Sequence, residues 1–75
     1  MFYSVHQLRH LRFIIGRNIR FQRDCKELTV QQLAQESGIS EDRLNAFERG
    51  KNDIRLIDLL KIACVLELEV FELVG

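Results

Sequence analysis

Proline is absent from this chain, glycine occurs four times in 75 residues, and no apolar run reaches the 18 or more positions that a membrane span requires. A soluble, helical chain is the expectation. The opening MFYSVHQLRH lacks the basic, apolar and small order of a secretory signal, so export is not expected and the cytoplasm is the expected compartment. Cysteine is scarce: Cys25 and Cys64 stand 39 positions apart and match no close-spaced metal pattern, so they read as reduced thiols acting as small apolar residues. His6 and His10 lie one helical turn apart, but two imidazoles without further ligands make a poor zinc site, and solvation is the better reading. No metal, cofactor or small-molecule ligand is expected. Catalytic groupings are missing too. There is no Ser/His/Asp or Cys/His arrangement and no phosphate-cradling glycine loop, and one small domain leaves little room for a concave pocket. An enzyme is not expected.

Net charge is also lacking, since eleven basic residues balance eleven acidic ones. The signs are nevertheless segregated. Residues 1–26 carry six basic residues against Asp24 alone, a balance of +5, whereas residues 27–50 come to −3 and residues 51–75 to −2. Affinity for a polyanion comes mostly from neutralised phosphates, so this distribution disfavours strong nonspecific nucleic-acid binding. A specific site built from a few placed cations remains open.

What the chain does contain is a tight corner. In the stretch SGISEDRLNAFE, Ser37 to Glu48, Gly38 supplies a backbone that accepts a positive φ, and the Ser40 hydroxyl caps a new helix. Leu33 and Ala34 before the corner, and Leu44 and Phe47 after it, give both short helices an apolar inner face. Glu41, Asp42, Arg43, Asn45 and Ala46 are left as an outward polar strip.

Around that corner the spacing predicts five helices in one domain, residues 1–75. Ser4 and Gln7 form a capping-box pattern that starts the first helix near Val5, and Leu8, Leu11, Ile15 and Ile19 carry a core stripe towards its end near Cys25. Residues 1–14 extend this helix. Ile14, Phe21 and Cys25 lie about 100° round from Ile15, an apolar flank to be covered by the C-terminal segment or by a second molecule. Lys26 and Glu27 make the connection, Leu28 turns inward, and Thr29 caps VQQLAQES. The third helix runs from Glu41 to about Arg49 and stops at Gly50, with GKND as the loop. Leu56, Leu59, Leu60, Ala63 and Leu66 form the inward face of the fourth, and Val70, Phe71, Leu73 and Val74 close the core from a short fifth.

Taken together, LAQESGIS, ERGK and LLKIACVL resemble the Cro/C1-type helix-turn-helix family, the XRE-like phage and bacterial repressors, over about residues 15–74. The marks are Ile19 and Arg23, Leu33-Ala34, Gly38-Ile39-Ser40, Glu48-Arg49-Gly50-Lys51, Leu59-Leu60-Lys61-Ile62-Ala63 and Leu66. The resemblance implies an all-α, five-helix, lambda-repressor-like DNA-binding domain whose second helix crosses the DNA backbone and whose third enters the major groove. It implies base-reading positions at Glu41, Asp42 and Ala46 with Arg43 and Asn45 beside them, and phosphate contacts from Gln31, Gln32, Arg49, Lys51, Asn52 and Arg55. It further implies an ion pair between Arg23 and Glu48, in keeping with the need of a partly buried carboxylate for a cation. The chain departs from the family at Val30, where a polar group near a phosphate is common, at Ile54 in place of a frequent proline, and at Glu67 in place of Gly or Asn.

The function so implied is that of a sequence-specific transcriptional regulator of the phage or bacterial repressor type. It would act as a homodimer on a palindromic operator in double-stranded DNA, with no membrane involved. The alternative is a protein-interaction module on the same fold with weakened DNA binding. The acids Glu41 and Asp42, Val30, zero net charge and the apolar residues Phe2, Tyr3, Phe13, Ile14 and Phe21 favour it.

Overall fold

The computed structural model describes residues 4–75, so Phe2 and Tyr3 lie outside the described residues. Five helices follow one another: α1 (Val5–Cys25), α2 (Val30–Ser37), α3 (Glu41–Glu48), α4 (Leu56–Leu66) and α5 (Phe71–Val74), with no strand among the described residues. Local chemistry sets most of the boundaries. Ser4 with Gln7 and Thr29 with Gln32 form reciprocal capping boxes, and the Ser40 hydroxyl accepts from Arg43 N–H, so orphan amides at three helix starts are satisfied by side chains.

Two helix ends are closed in an unexpected way. Glu27 and Glu67 both adopt left-handed backbones, φ 57° and 58°, and the following Leu28 and Leu68 amides return to the carbonyls of Arg23 and Ala63. A side chain is tolerated in that conformation at a cost of about 1–2 kcal/mol, which is why such caps usually carry glycine.

Ile15, Ile19, Leu33, Ile39, Leu44, Phe47, Leu59, Ile62, Ala63, Leu66 and Leu73 form the buried core, with contributions from all five helices and from the turn between α2 and α3. Gly16 is buried where α1 crosses the end of α3. A Cβ added there would collide with the Phe47 carbonyl oxygen, so the two backbones touch with no side chain between them. Asn18 Nδ2 donates to the Leu73 carbonyl at 3.0 Å, fastening α5 onto α1.

Several expected core residues lie outside. Leu8 is exposed because the first turns of α1 overhang the body, and every residue from Ser4 to His10 is exposed with it. On α4 the buried face is Asp58, Leu59, Ile62, Ala63 and Leu66, which leaves Leu56 and Leu60 in solvent rather than inward. The segment is apolar almost all round, so periodicity alone did not fix its phase. Phe71 and Val74 are exposed while Leu73 takes the core position. Cys25 and Cys64, read as small apolar thiols, are free and lie exposed at the surface. On the α1 flank Ile14 is half-buried, but Phe21 remains uncovered by α5.

Two substitutions check this account by thermal unfolding. Gly16→Ala forces α1 from α3 and is expected to cost about 1–3 kcal/mol, lowering Tm by roughly 4–20 °C for a domain of this size. Glu67→Gly relieves a left-handed side chain and loses only a solvent-exposed contact with Lys26 at 3.6 Å. It is expected to raise stability by about 0.5–1 kcal/mol. An unchanged Tm in either case contradicts the geometry described.

Candidate nucleic-acid interface

The corner between α2 and α3 is built from backbone and one hydroxyl. Gly38 takes φ 75° and its amide returns to the Ala34 carbonyl, while the Ser37 Oγ accepts from Ile39 N–H at 3.2 Å. Ile39 is thereby sunk into the core and Ser40 is left free to cap α3. On α3, Leu44 and Phe47 face inward, Glu41 and Asp42 are exposed, and Asn45 and Ala46 are half-exposed. The two acids occupy the first turn, where the positive end of the helix dipole stabilises them, so their presence has a sufficient cause in α3 itself.

The far end of α3 is held by Arg23. Its Nε donates to Glu48 Oε2 at 2.7 Å and its Nη2 to Oε1 at 2.9 Å, a bidentate pair, while Nη1 donates to the Leu28 carbonyl at 2.7 Å. The side chains are 11% and 8% exposed. Hydrogen bonding to Glu48 outweighs desolvation and raises the Arg23 pKa above its ordinary value, so the guanidinium stays charged. The end of α1, the α1–α2 connection and the end of α3 therefore share one cation.

Arg43 is placed differently from its neighbours on the strip. Its Nη2 donates to Asp58 Oδ2 on α4 at 2.6 Å, and its guanidinium carbon lies 5.3 Å from the centroid of the Phe47 ring. The side chain is 39% exposed and drawn towards α4, whereas Asp58 is 1% exposed. Asp58 escaped the sequence reading. The available signal was a single carboxylate inside the apolar run LIDLL.

Gln31, Gln32, Arg49, Lys51, Asn52 and Arg55 are all exposed. Gln32 uses its carbonyl oxygen to accept from Thr29 N–H at 2.8 Å, and Arg55 Nε lies 3.5 Å from Asp58 Oδ2. Arg49, Lys51 and Asn52 follow directly on α3, so the loop offers two cations and an amide beside its C-terminal end. Val30 is half-buried and packs against the core, which explains an apolar residue at the head of α2. Among the described residues no three His, Cys, Asp or Glu side chains are grouped as a metal site would need.

Two short helices joined through a left-handed glycine, the second capped by serine and packed by one face onto a small α-helical body, define a helix-turn-helix domain of the Cro/C1 type. The chain belongs to the helix-turn-helix family HTH_3, whose model matches residues 19–73. It is 41% identical over 61 residues to the HTH-type transcriptional regulator SlrR of Bacillus subtilis (strain 168), covering 80% of this chain and 40% of that one. It thus spans two fifths of that relative's length. The restriction-modification controller protein C.AhdI from Aeromonas hydrophila has the same fold, with a TM-score of 0.81 at 32% identity over 83% of this chain and 94% of that chain. The clp gene regulator ClgR from Corynebacterium glutamicum superposes with a TM-score of 0.81 at 28% identity over 84% and 67% of the two chains. The fold is therefore lambda-repressor-like, and the relatives are transcriptional regulators rather than enzymes.

Removing Arg23 strands a buried carboxylate. Arg23→Ala is expected to cost about 3–5 kcal/mol, measured by urea unfolding. A midpoint equal to the parent's would show that Glu48 needs no partner.

Proposed function

We propose that this domain is a sequence-specific DNA-binding transcriptional regulator that places α3 in the major groove of double-stranded DNA. The observation that carries this reading is the outer strip of α3, uncovered by any other helix while its inner face and both ends are fixed. Glu41 and Asp42 accept from cytosine N4, Asn45 pairs with adenine, and Ala46 meets a thymine methyl. Arg43 stands at the edge of the strip. Gln31 and Gln32 at the head of α2, with Arg49, Lys51, Asn52 and Arg55, supply phosphate contacts that fix register without reading sequence.

One α3 spans few base pairs, so a homodimer on a palindromic operator gives two half-sites a helical turn apart. The exposed Phe13 and Phe21 on α1 and Phe71 on α5 are apolar surface available to such an assembly. Repression would follow from occupying a promoter in the cytoplasm. A second reading, an interaction module for a basic partner, is favoured by the two exposed carboxylates that open α3 and by zero net charge.

Binding to random duplex across a series of salt concentrations, followed by selection of preferred sites, separates the two. A DNA reader yields a palindrome and an affinity that falls steeply with salt. A folded protein that enriches no motif even at low salt is the interaction module instead. Arg49→Glu with Lys51→Glu is expected to weaken binding at all sequences and to flatten the salt dependence by about two phosphate contacts. Unchanged binding removes the loop from the interface.

A further inference from the structure

Asp58 plays no part in the function proposed above, yet it is the most deeply buried charged side chain among the described residues and lies behind the reading helix rather than on it. Two arginines approach its Oδ2 unequally. Arg43 Nη2 donates at 2.6 Å, while Arg55 Nε stands at 3.5 Å with most of its side chain in solvent. The dependence runs one way. Without Arg43 the carboxylate is left buried and charged with one long contact, whereas without Asp58 the guanidinium is a partly exposed cation that water readily solvates. Asp58 therefore keeps Arg43 more firmly than Arg43 needs to be kept.

Arg43 is also the one basic residue within α3, whose sequence is EDRLNAFE. An arginine in the major groove pairs bidentately with guanine O6 and N7, the commonest specific contact in DNA recognition. Carboxylates at the same strip repel those acceptors. What α3 selects thus depends on which way Arg43 points.

We infer that Asp58 is a specificity-determining positioning residue, an inference that rests on the DNA-binding function proposed above. By retaining Arg43 on the flank of α3, it withholds from the groove the single guanidinium that helix owns. Glu41, Asp42, Asn45 and Ala46 are then left to select bases, and guanine is not among those they read. A carboxylate that touches no DNA sets the base preference of the helix in front of it.

Site selection from random duplex tests this with three proteins: the parent, Asp58→Asn, and the double variant Arg43→Gln/Asp58→Asn, each confirmed as helical and cooperatively folded by circular dichroism. Asp58→Asn keeps the shape of the side chain and removes the charge that retains Arg43, leaving at most a neutral hydrogen bond to the amide oxygen. It is expected to retain the parent motif and to add a guanine at one further position of each half-site, preferred roughly tenfold or more over the other bases. The double variant has neither a guanidinium to release nor a charge to strand, and is expected to select the parent motif with nothing added. An Asp58→Asn motif identical to the parent's overturns the inference. So does a double variant that loses a position, because Arg43 is then reading a base in the parent. If Asp58→Asn does not fold, the double variant decides by that same criterion. A parent that enriches no motif defeats the DNA-binding function itself, and the inference with it, which is distinct from a parent motif that Asp58→Asn leaves unaltered.

Discussion

The bidentate bond between Arg23 and Glu48 is the constraint on which the placement of everything else depends. It closes at 2.7 and 2.9 Å in a nearly dry setting, and the same guanidinium also serves the Leu28 carbonyl, so three separate parts of the chain converge on one group. Burying two charges gains little net stability over an apolar pair of the same shape. What it contributes here is a tie: Arg23 meets both carboxylate oxygens of Glu48 and so joins the last turn of α3 to α1. Ser40 at one end of α3 and Arg23 at the other leave its orientation no freedom that the packing of Leu44 and Phe47 does not already permit.

The first turn of α3 illustrates two demands on the same atoms. Glu41 and Asp42 satisfy the positive pole of their own helix. On a nucleic-acid surface those carboxylates face phosphates of like sign. With a formal charge of zero, net charge adds no long-range attraction to a polyanion. In the DNA-binding function proposed above, affinity would come from short-range fit along α3 and from the few cations that follow it, as in a protein that discriminates among sites rather than one that coats them.

Much of this molecule was legible in the chain because its signals are local. Ser4 with Gln7, Thr29, Gly38 and Ser40 each fix a boundary through a hydrogen bond or a φ value decided within four residues, and α1 to α3 fall where those residues place them. The phase of α4 was not legible, since LIDLLKIACVL is apolar on nearly every face and only tertiary contact chooses Ile62 over Leu60. Leu8 misled for the opposite reason. Its periodicity is sound, but the body does not extend far enough to cover it. Within the candidate site, the exposure of Glu41 and Asp42 could be read from the inward positions of Leu44 and Phe47. The tie from Arg43 to Asp58 spans fifteen positions and a loop, and nothing short-range announces it.

The seam at Gly16 has a mechanical consequence. Where α1 meets the Phe47 carbonyl there is no cushion of methylene groups to rotate aside or to compress, and carbonyl oxygen meets main chain directly. The first turns of α1, from Val5 to His10, project past the body as a free arm rigidly continuous with that point of contact. The overhang and the last turn of α3 thus share one seam at which only backbone meets backbone, and any side chain placed there has to part the two helices by its own width.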